Sequence, residues 1–174
     1  MKLQELAKRE IPWISCNSTV LSSRTRLARN IRGFSFPVRC KKFEQSEIFN
    51  RVTDILEKKR IIENHTAVML NEQDKTDRLT LMERHLISHE MALKESGEPG
   101  VIFSGDEKIS VMVNEEDHLR IQAITPDLSI DDSVAAVSLI DALFEEEINF
   151  SYSGKFGYLT SCPTNAGTGL RVSC

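Results

Sequence analysis

A chain of 174 residues with 40% hydrophobic and 28% charged residues has the composition of an ordinary globular protein, not a disordered or fibrous one, and its length suits a single domain over residues 1–174. Its formal net charge of −4 argues against a general nucleic-acid-coating surface. The longest apolar stretch, residues 134–144, contains Ser138 and Asp141 and is too short for a membrane span, and the opening MKLQELAKRE has no signal-peptide core, so the expected location is cytoplasmic.

In chain order, the first 20 residues read as a short amphipathic segment followed by a turn around Pro12 and Asn17. Residues 22–32 carry arginine at 24, 26, 29 and 32. Ile48, Val52, Ile55 and Leu56 predict a helix over 44–60, and a strand is expected at 66–70. Leu79, Met82, Leu86 and Ala92 predict a second helix over 74–93, ended by Gly97, Pro99 and Gly100. The period then changes to two. Short strands are expected at 100–104, at 108–114 (Ile109, Val111 and Val113 on one face) and at 118–125. In the last, Leu119, Ile121 and Ala123 share one face, and His118, Arg120 and Gln122 the other. Asp131 or Asp132 is placed to cap a helix over 134–144, and 148–161 reads as one or two strands broken near Gly154. The predicted class is α+β, an antiparallel β-sheet flanked by helices packed on one side. Cys16, Cys40, Cys162 and Cys174 form no C-x-x-C pair, the pattern of reduced thiols and not of a zinc site or disulfide scaffold.

Four segments can carry chemistry. Four guanidinium groups in SSRTRLARNIR repel one another unless an anion or carboxylates lie between them. If that stretch is extended, Arg24 and Arg26 share a face and offer planar donor forks to phosphate oxygens. The plainer alternative is a solvated basic face paired with surface acids. Glu115, Glu116 and Asp117, between two alternating strands, gather three carboxylates that suit Mg²⁺ with substrate phosphates, or a guanidinium. An acidic hairpin tip in water is the alternative, weakened by Arg120 on the adjoining polar face. In 162–171, Gly167, Thr168, Gly169 and Arg171 follow a strand and could form an amide-rich anion cradle, though no Walker lysine is present. Cys162, between Thr160 and Thr164, has polar company. His85 and His89 have i, i+4 helical spacing, but Leu86 stands where a metalloprotease glutamate would be, and no third ligand is evident. Together these residues point to phosphoryl transfer from a metal–nucleoside triphosphate to a basic acceptor.

SSRTRLARNIRGF, ERHLIS, VNEEDHLRIQ and GYLTSCPTNAGTGLRVS, in this order, resemble the catalytic domain of the ATP:guanido phosphotransferases, the creatine and arginine kinase family. The resemblance runs from about Val20 onward. Kinases of small guanidino compounds resemble one another in a helical domain before this segment, and the early position of Ser22 is closer to the bacterial protein-arginine kinases. The resemblance implies ATP-dependent phosphorylation of arginine side chains in proteins, marking them for Clp-type proteolysis, with a zinc-binding activator protein as a partner and a homodimer as one permitted arrangement. Neither nucleic acid nor membrane enters this reading.

Carried onto this sequence, the family pattern implies that Arg24 and Arg26 grip ATP phosphates within a nucleotide segment including Ser22, Ser23 and Thr25. Arg120 and Arg171 become further clamps, with Val172 and Ser173 beside them, and His85 lies against the base. Glu116 would hold the target guanidinium, Glu115 and Asp117 would act toward Mg²⁺ partly through water, and Cys162 would sit nearby as a thiolate. Thr25, Ala166 and Val172 depart mildly from the family pattern. By the same resemblance the chain stops, at Cys174, after the first half of a catalytic unit, so little or no activity is expected of it alone. A guanidinium pKa of about 12.5 against about 4.3 for glutamate makes full proton transfer before attack cost on the order of 11 kcal/mol. Glu116 is therefore expected to orient the nitrogen and accept its proton only as the phosphorus–nitrogen bond forms. Two alternatives stay open: a kinase of free arginine or another small guanidino compound, and a non-catalytic module binding nucleotide or phosphoarginine.

Overall fold

The computed structural model describes residues 3–15, 19–60, 62 and 64–174; the turn expected at Asn17 and the thiol of Cys16 lie outside them. A six-stranded antiparallel sheet organises the chain. Its strands are β1 (Ser22–Arg29), β2 (Thr66–Met69), β3 (Gly100–Phe103), β4 (Ile109–Val113), β5 (Leu119–Pro126) and β8 (Leu170–Ser173), arranged β2-β3-β4-β5-β1-β8. Between β5 and β8 the chain forms helix α4 (Ile130–Glu145) and a separate hairpin of β6 (Tyr152–Ser153) and β7 (Gly157–Tyr158).

Helix α1 (Lys42–Lys59) forms where the apolar spacing predicts it, starting two residues early because the Glu44 carboxylate accepts the Lys41 amide at 2.9 Å. Ile48, Val52, Ile55 and Leu56 of α1, with Val137, Ile140 and Phe144 of α4, pack on Val111, Val113, Leu119, Ile121 and Ala123. Asp131 and Asp132 lie in the first turn of α4 and do not cap it; Ser129 precedes the helix without a side-chain cap bond.

The expected helix over 74–93 is two helices, α2 (Lys75–Glu83) and α3 (His89–Ala92). Tertiary bonds override the periodicity between them. Arg84 is buried, pairs with Glu107 and donates to the carbonyls of Arg9 and Glu10 at 3.1 Å. His85 takes a left-handed φ of 57°, and its carbonyl accepts from Gln122 at 2.7 Å. Ser88 then caps α3 by accepting the Met91 amide. Leu81, Leu86 and Met91 of this unit, with Leu3 and Leu6, cover Val68, Val101, Phe103 and Met112 on the other side of the sheet. Helices therefore flank both faces, not one, and β4 is buried on both sides. The second layer covers only the β2–β4 end, leaving the opposite end of that face open around β1, β5 and β8. Among the described residues no helix is long and apolar enough to cross a membrane.

Candidate functional site

Strand register gathers the arginines. Arg26 stands opposite Gln122 of β5 and Arg171 of β8, Ala28 stands opposite Arg120, and Arg24 opposite Ser173. Facing residues of an antiparallel pair point to the same side and alternate residues repeat it. Arg24, Arg26, Arg120 and Arg171 therefore share the open face, with Ser22 and Ser173. Ser23, Thr25 and Val172 belong to the opposite face. Ser23 donates to the Asp127 carbonyl at 2.8 Å, and Thr25 shares a 2.6 Å hydrogen bond with Ser133 beneath α4. Arg29 also points there, pairing with Asp141 at 2.6 Å and stacking 3.5 Å from the centre of the Tyr158 ring.

Burial and the mutual repulsion of Arg24, Arg120 and Arg171 push the Arg26 guanidinium down to about 10, against a modest opposing effect of Glu115. Burial, then Arg120 and Arg171, also lowers Arg24. Among the described residues, Arg24, Arg26 and Arg171 make no ion pair, and the buried Nε of Arg26 has no partner. Like charges gathered and partly desolvated in this way favour a multivalent anion.

The tip between β4 and β5 supplies the opposite charge. Asn114 enters it at φ 58°, its amide bonded to the His118 carbonyl at 2.9 Å and its side chain donating to the carbonyls of Gln45 and Glu98. Glu115 is buried and accepts from Arg120 and Ser88, both at 2.5 Å. The Glu116 side chain is 43% exposed and lies 3.9 Å from Arg120. Burial first, then Asp117, raises its pKa, with Arg120 opposing. Both glutamates line a cavity of about 510 Å³ together with Arg26, Arg120 and Arg171.

Asp117 and His118 turn away from this cavity. Asp117 is 2% exposed, and its Oδ1 accepts from Asn30 at 2.6 Å and from the Ser161 amide at 2.7 Å. The face expected for His118 belongs only to residues within the strand; His118 precedes β5. Its Nδ1 accepts the Ile31 amide at 3.0 Å, which leaves Nε2 to donate to the Ser35 carbonyl at 2.9 Å. A carboxylate at the cavity wall plus incoming phosphate oxygens is a donor set magnesium accepts. Glu115 fits that requirement; Asp117 is turned inward.

The Cys162 loop is fastened beside the tip. Ser161 donates its hydroxyl to the Glu116 carbonyl at 2.8 Å, and the Cys162 sulfur lies 2.9 Å from the Thr164 hydroxyl. The glycines here serve chain packing. Gly167 exchanges backbone bonds with Tyr158, so its amide is occupied. At Gly169, φ is 68° and a Cβ would lie 2.6 Å from the Ala28 carbonyl. His85, in the α2–α3 turn, lies against Trp13 with ring centres 4.7 Å apart and the rings tilted by 38°, and burial and then Arg24 lower its pKa. His85 and His89 lie on separate elements, and the described residues contain no cluster of three metal-ligating side chains. Periodicity gave no signal for Ser88 or Lys94, which reach the tip through tertiary folding.

Comparison with known proteins identifies the family and the fold. The sequence profile of the ATP:guanido phosphotransferase C-terminal catalytic domain matches residues 47–174. A protein-arginine kinase of Halothermothrix orenii is 39% identical over 178 residues, covering 99% of this chain and 50% of that protein. One of Bacillus subtilis is 40% identical over 156 residues, covering 88% and 42%. The chain thus spans about half the length of these relatives. Among solved structures, the substrate-free duplicated taurocyamine kinase of Schistosoma mansoni superposes with a TM-score of 0.78 at 21% identity, over 94% of this chain and 25% of that one. A lombricine kinase gives 0.70 at 21% identity, over 96% and 50%. At that identity the likeness is one of fold.

Proposed function

The chain belongs to the ATP:guanido phosphotransferase family, and from this we propose that it is the part of a protein-arginine kinase that holds the triphosphate of ATP and receives an arginine side chain. One observation carries the reading: phosphate-capable arginines and the glutamates of one hairpin tip border the same cavity. Relatives at about 39–40% identity that bear the name protein-arginine kinase support a protein acceptor. Marking of proteins for Clp-type proteolysis and a zinc-binding activator are further elements of this proposal.

In this reading Arg24, Arg26, Arg120 and Arg171 hold the phosphates. Their crowding is relieved when anionic oxygens enter, and their forks fix the transferred phosphoryl in line with the acceptor. Glu115 would hold Mg²⁺, directly or through water; when bound, the ion neutralises charge on the triphosphate. Asp117 acts indirectly, by fastening the tip to Asn30 and Ser161. Glu116, exposed and adjoining the cavity, takes the guanidinium by charge-assisted hydrogen bonds. Its raised pKa narrows the gap to the guanidinium without closing it, so it orients the attacking nitrogen and receives the proton as the phosphorus–nitrogen bond forms and the bond from the γ-phosphorus to the bridging oxygen breaks, releasing ADP. Cys162 and His85 flank the acceptor and base ends.

The test is incubation of this chain, and of a longer chain of the relatives' length, with Mg·ATP and a basic protein, followed by mass spectrometry for acid-labile phosphoarginine, alongside binding of a fluorescent nucleotide. Nucleotide binding that Arg26→Ala abolishes, with phosphate on protein arginine, supports the reading. Transfer to free arginine alone supports a small-guanidino kinase. Binding that is indifferent to the arginines overturns the site.

A further inference from the structure

The segment after α3 returns to the tip between β4 and β5. Lys94 lies two residues beyond α3, half-buried, on the wall of the cavity that holds Glu115 and Glu116. Its Nζ donates to the Asn114 carbonyl at 2.6 Å and to the Glu115 carbonyl at 2.8 Å. Its own carbonyl accepts from Arg78 of α2 at 2.8 Å. Ser88, at the other end of α3, donates to the Glu115 carboxylate. The tip is thus gripped from the α2–α3 unit at two levels, by its backbone through Lys94 and by one side chain through Ser88.

The backbone grip falls at the entry to the tip. Asn114 is in the left-handed region, and the peptide groups on either side of Glu115 set the direction of the next side chain. An ammonium group bonded to two successive carbonyls fixes both peptide planes. Glu116, by contrast, has no donor within hydrogen-bond distance among the described residues, its nearest cation being Arg120 at 3.9 Å. Its aim depends on the backbone that carries it.

We infer that Lys94 is a positioning residue for the acceptor: it holds the tip so that Glu116 faces the incoming guanidinium, and it makes no hydrogen bond to the phosphate-binding arginines. This rests on Glu116 being the acceptor carboxylate. Arg24, Arg26 and Arg171 lie on strands whose register does not involve Lys94 and make no ion pair with the tip, so loss of its two bonds falls on the acceptor half of the site far more than on the phosphate half. A residue needed only for folding would affect both halves alike.

The experiment uses the full chain with Lys94→Met, and Lys94→Arg as the conservative variant that retains a charged donor. Hydrogen exchange at the Asn114 amide reads the tip, an arginine-containing peptide reads acceptor binding, and a fluorescent Mg·nucleotide reads the phosphate site. For Lys94→Met we expect faster exchange at Asn114 and roughly tenfold weaker peptide binding, the scale of a lost charge-assisted hydrogen bond. Nucleotide affinity stays within about twofold and the urea midpoint is little changed; Lys94→Arg restores most of the peptide affinity. Equal loss of peptide and nucleotide binding, or unchanged exchange and peptide affinity, overturns the inference. Wild-type protein that binds no arginine peptide defeats the functional reading instead, and the exchange measurement then still decides whether Lys94 holds the tip. If Lys94→Met does not fold, Lys94→Gln provides the same comparison.

Discussion

Arg120 serves two carboxylates unequally, lying 2.5 Å from Glu115 and 3.9 Å from Glu116. The Glu115 side chain is 5% exposed and that of Glu116 43%, so the arginine divides the tip into a fixed anion and an available one. Arg120→Ala leaves Glu115 buried with Ser88 as its remaining side-chain donor. Breaking such a pair is expected to cost about 2 to 4 kcal/mol in urea unfolding. It also removes the cation that holds Glu116 down, so the Glu116 pKa, already raised by burial, moves further up. Carboxyl titration by NMR together with denaturation checks both effects; an unchanged Glu116 titration would separate Arg120 from the acceptor end.

Arg26 behaves in the opposite way in the free protein. It is crowded by Arg24, Arg120 and Arg171, and its buried Nε has no partner. Arg26→Gln therefore leaves the unliganded protein as stable as before or more so, by up to about 1 kcal/mol, while weakening polyphosphate binding tenfold or more. The readout is thermal unfolding with and without tripolyphosphate. Ligand at about a hundred times its dissociation constant stabilises the wild type by about 2.7 kcal/mol, and the variant should show little of that gain at the same concentration. A variant that unfolds early without ligand would mean that Arg26 is structural.

The readable parts of this fold were those where one face decides the pattern. Leu119, Ile121 and Ala123 alternate because a single core lies beneath them, and α1 follows its apolar spacing for the same reason. The α2–α3 break was not readable. Leu79, Met82, Leu86 and Ala92 keep helical spacing across it, and what interrupts the helix is Arg84 buried against Glu107 and the carbonyls of Arg9 and Glu10, partners distant in sequence. Within the site, i, i+2 spacing was enough to place Arg24 with Arg26, but that same alternation sends Ser23 and Thr25 to the far face. Asp117 looked equivalent to its two neighbours in sequence. Its inward turn depends on Asn30 and Ser161, which only the folded chain brings to it.

That difference gives a prediction for the tip carboxylates. Asp117→Asn keeps the shape but removes the charge that accepts from both Asn30 and the Ser161 amide, so the Cys162 loop should loosen and stability fall by about 1 to 3 kcal/mol. Glu116→Gln has no such internal bond to lose and should leave stability within about 0.5 kcal/mol. Its expected defect is in turnover, reduced far more than nucleotide affinity, because it removes the group that orients the acceptor. Denaturation and nucleotide titration of both variants, with phosphoarginine formation read in a longer chain of the relatives' length, distinguish these roles. Equal losses of turnover and nucleotide affinity in Glu116→Gln would refute the assignment of Glu116.

Burial is the main cause of a lowered His118 pKa, with the Ser35 bond, Asp117 and Glu44 opposing. In the unfolded chain the imidazole takes up a proton as pH falls through about 6.5, whereas in the folded protein Nδ1 is occupied by the Ile31 amide. The unfolded state therefore binds more protons in this window, and stability falls as pH falls. His118 contributes fully above about pH 6.5, and its contribution is lost progressively from there down to its lower folded pKa. His85 is lowered in the same direction, while the raised Glu116 and Asp141 have the opposite sign. Comparison with His118→Gln isolates the buried imidazole: the wild-type urea midpoint should drop more steeply between pH 7.5 and 5 than that of the variant. Equal slopes would place the destabilising proton on another group.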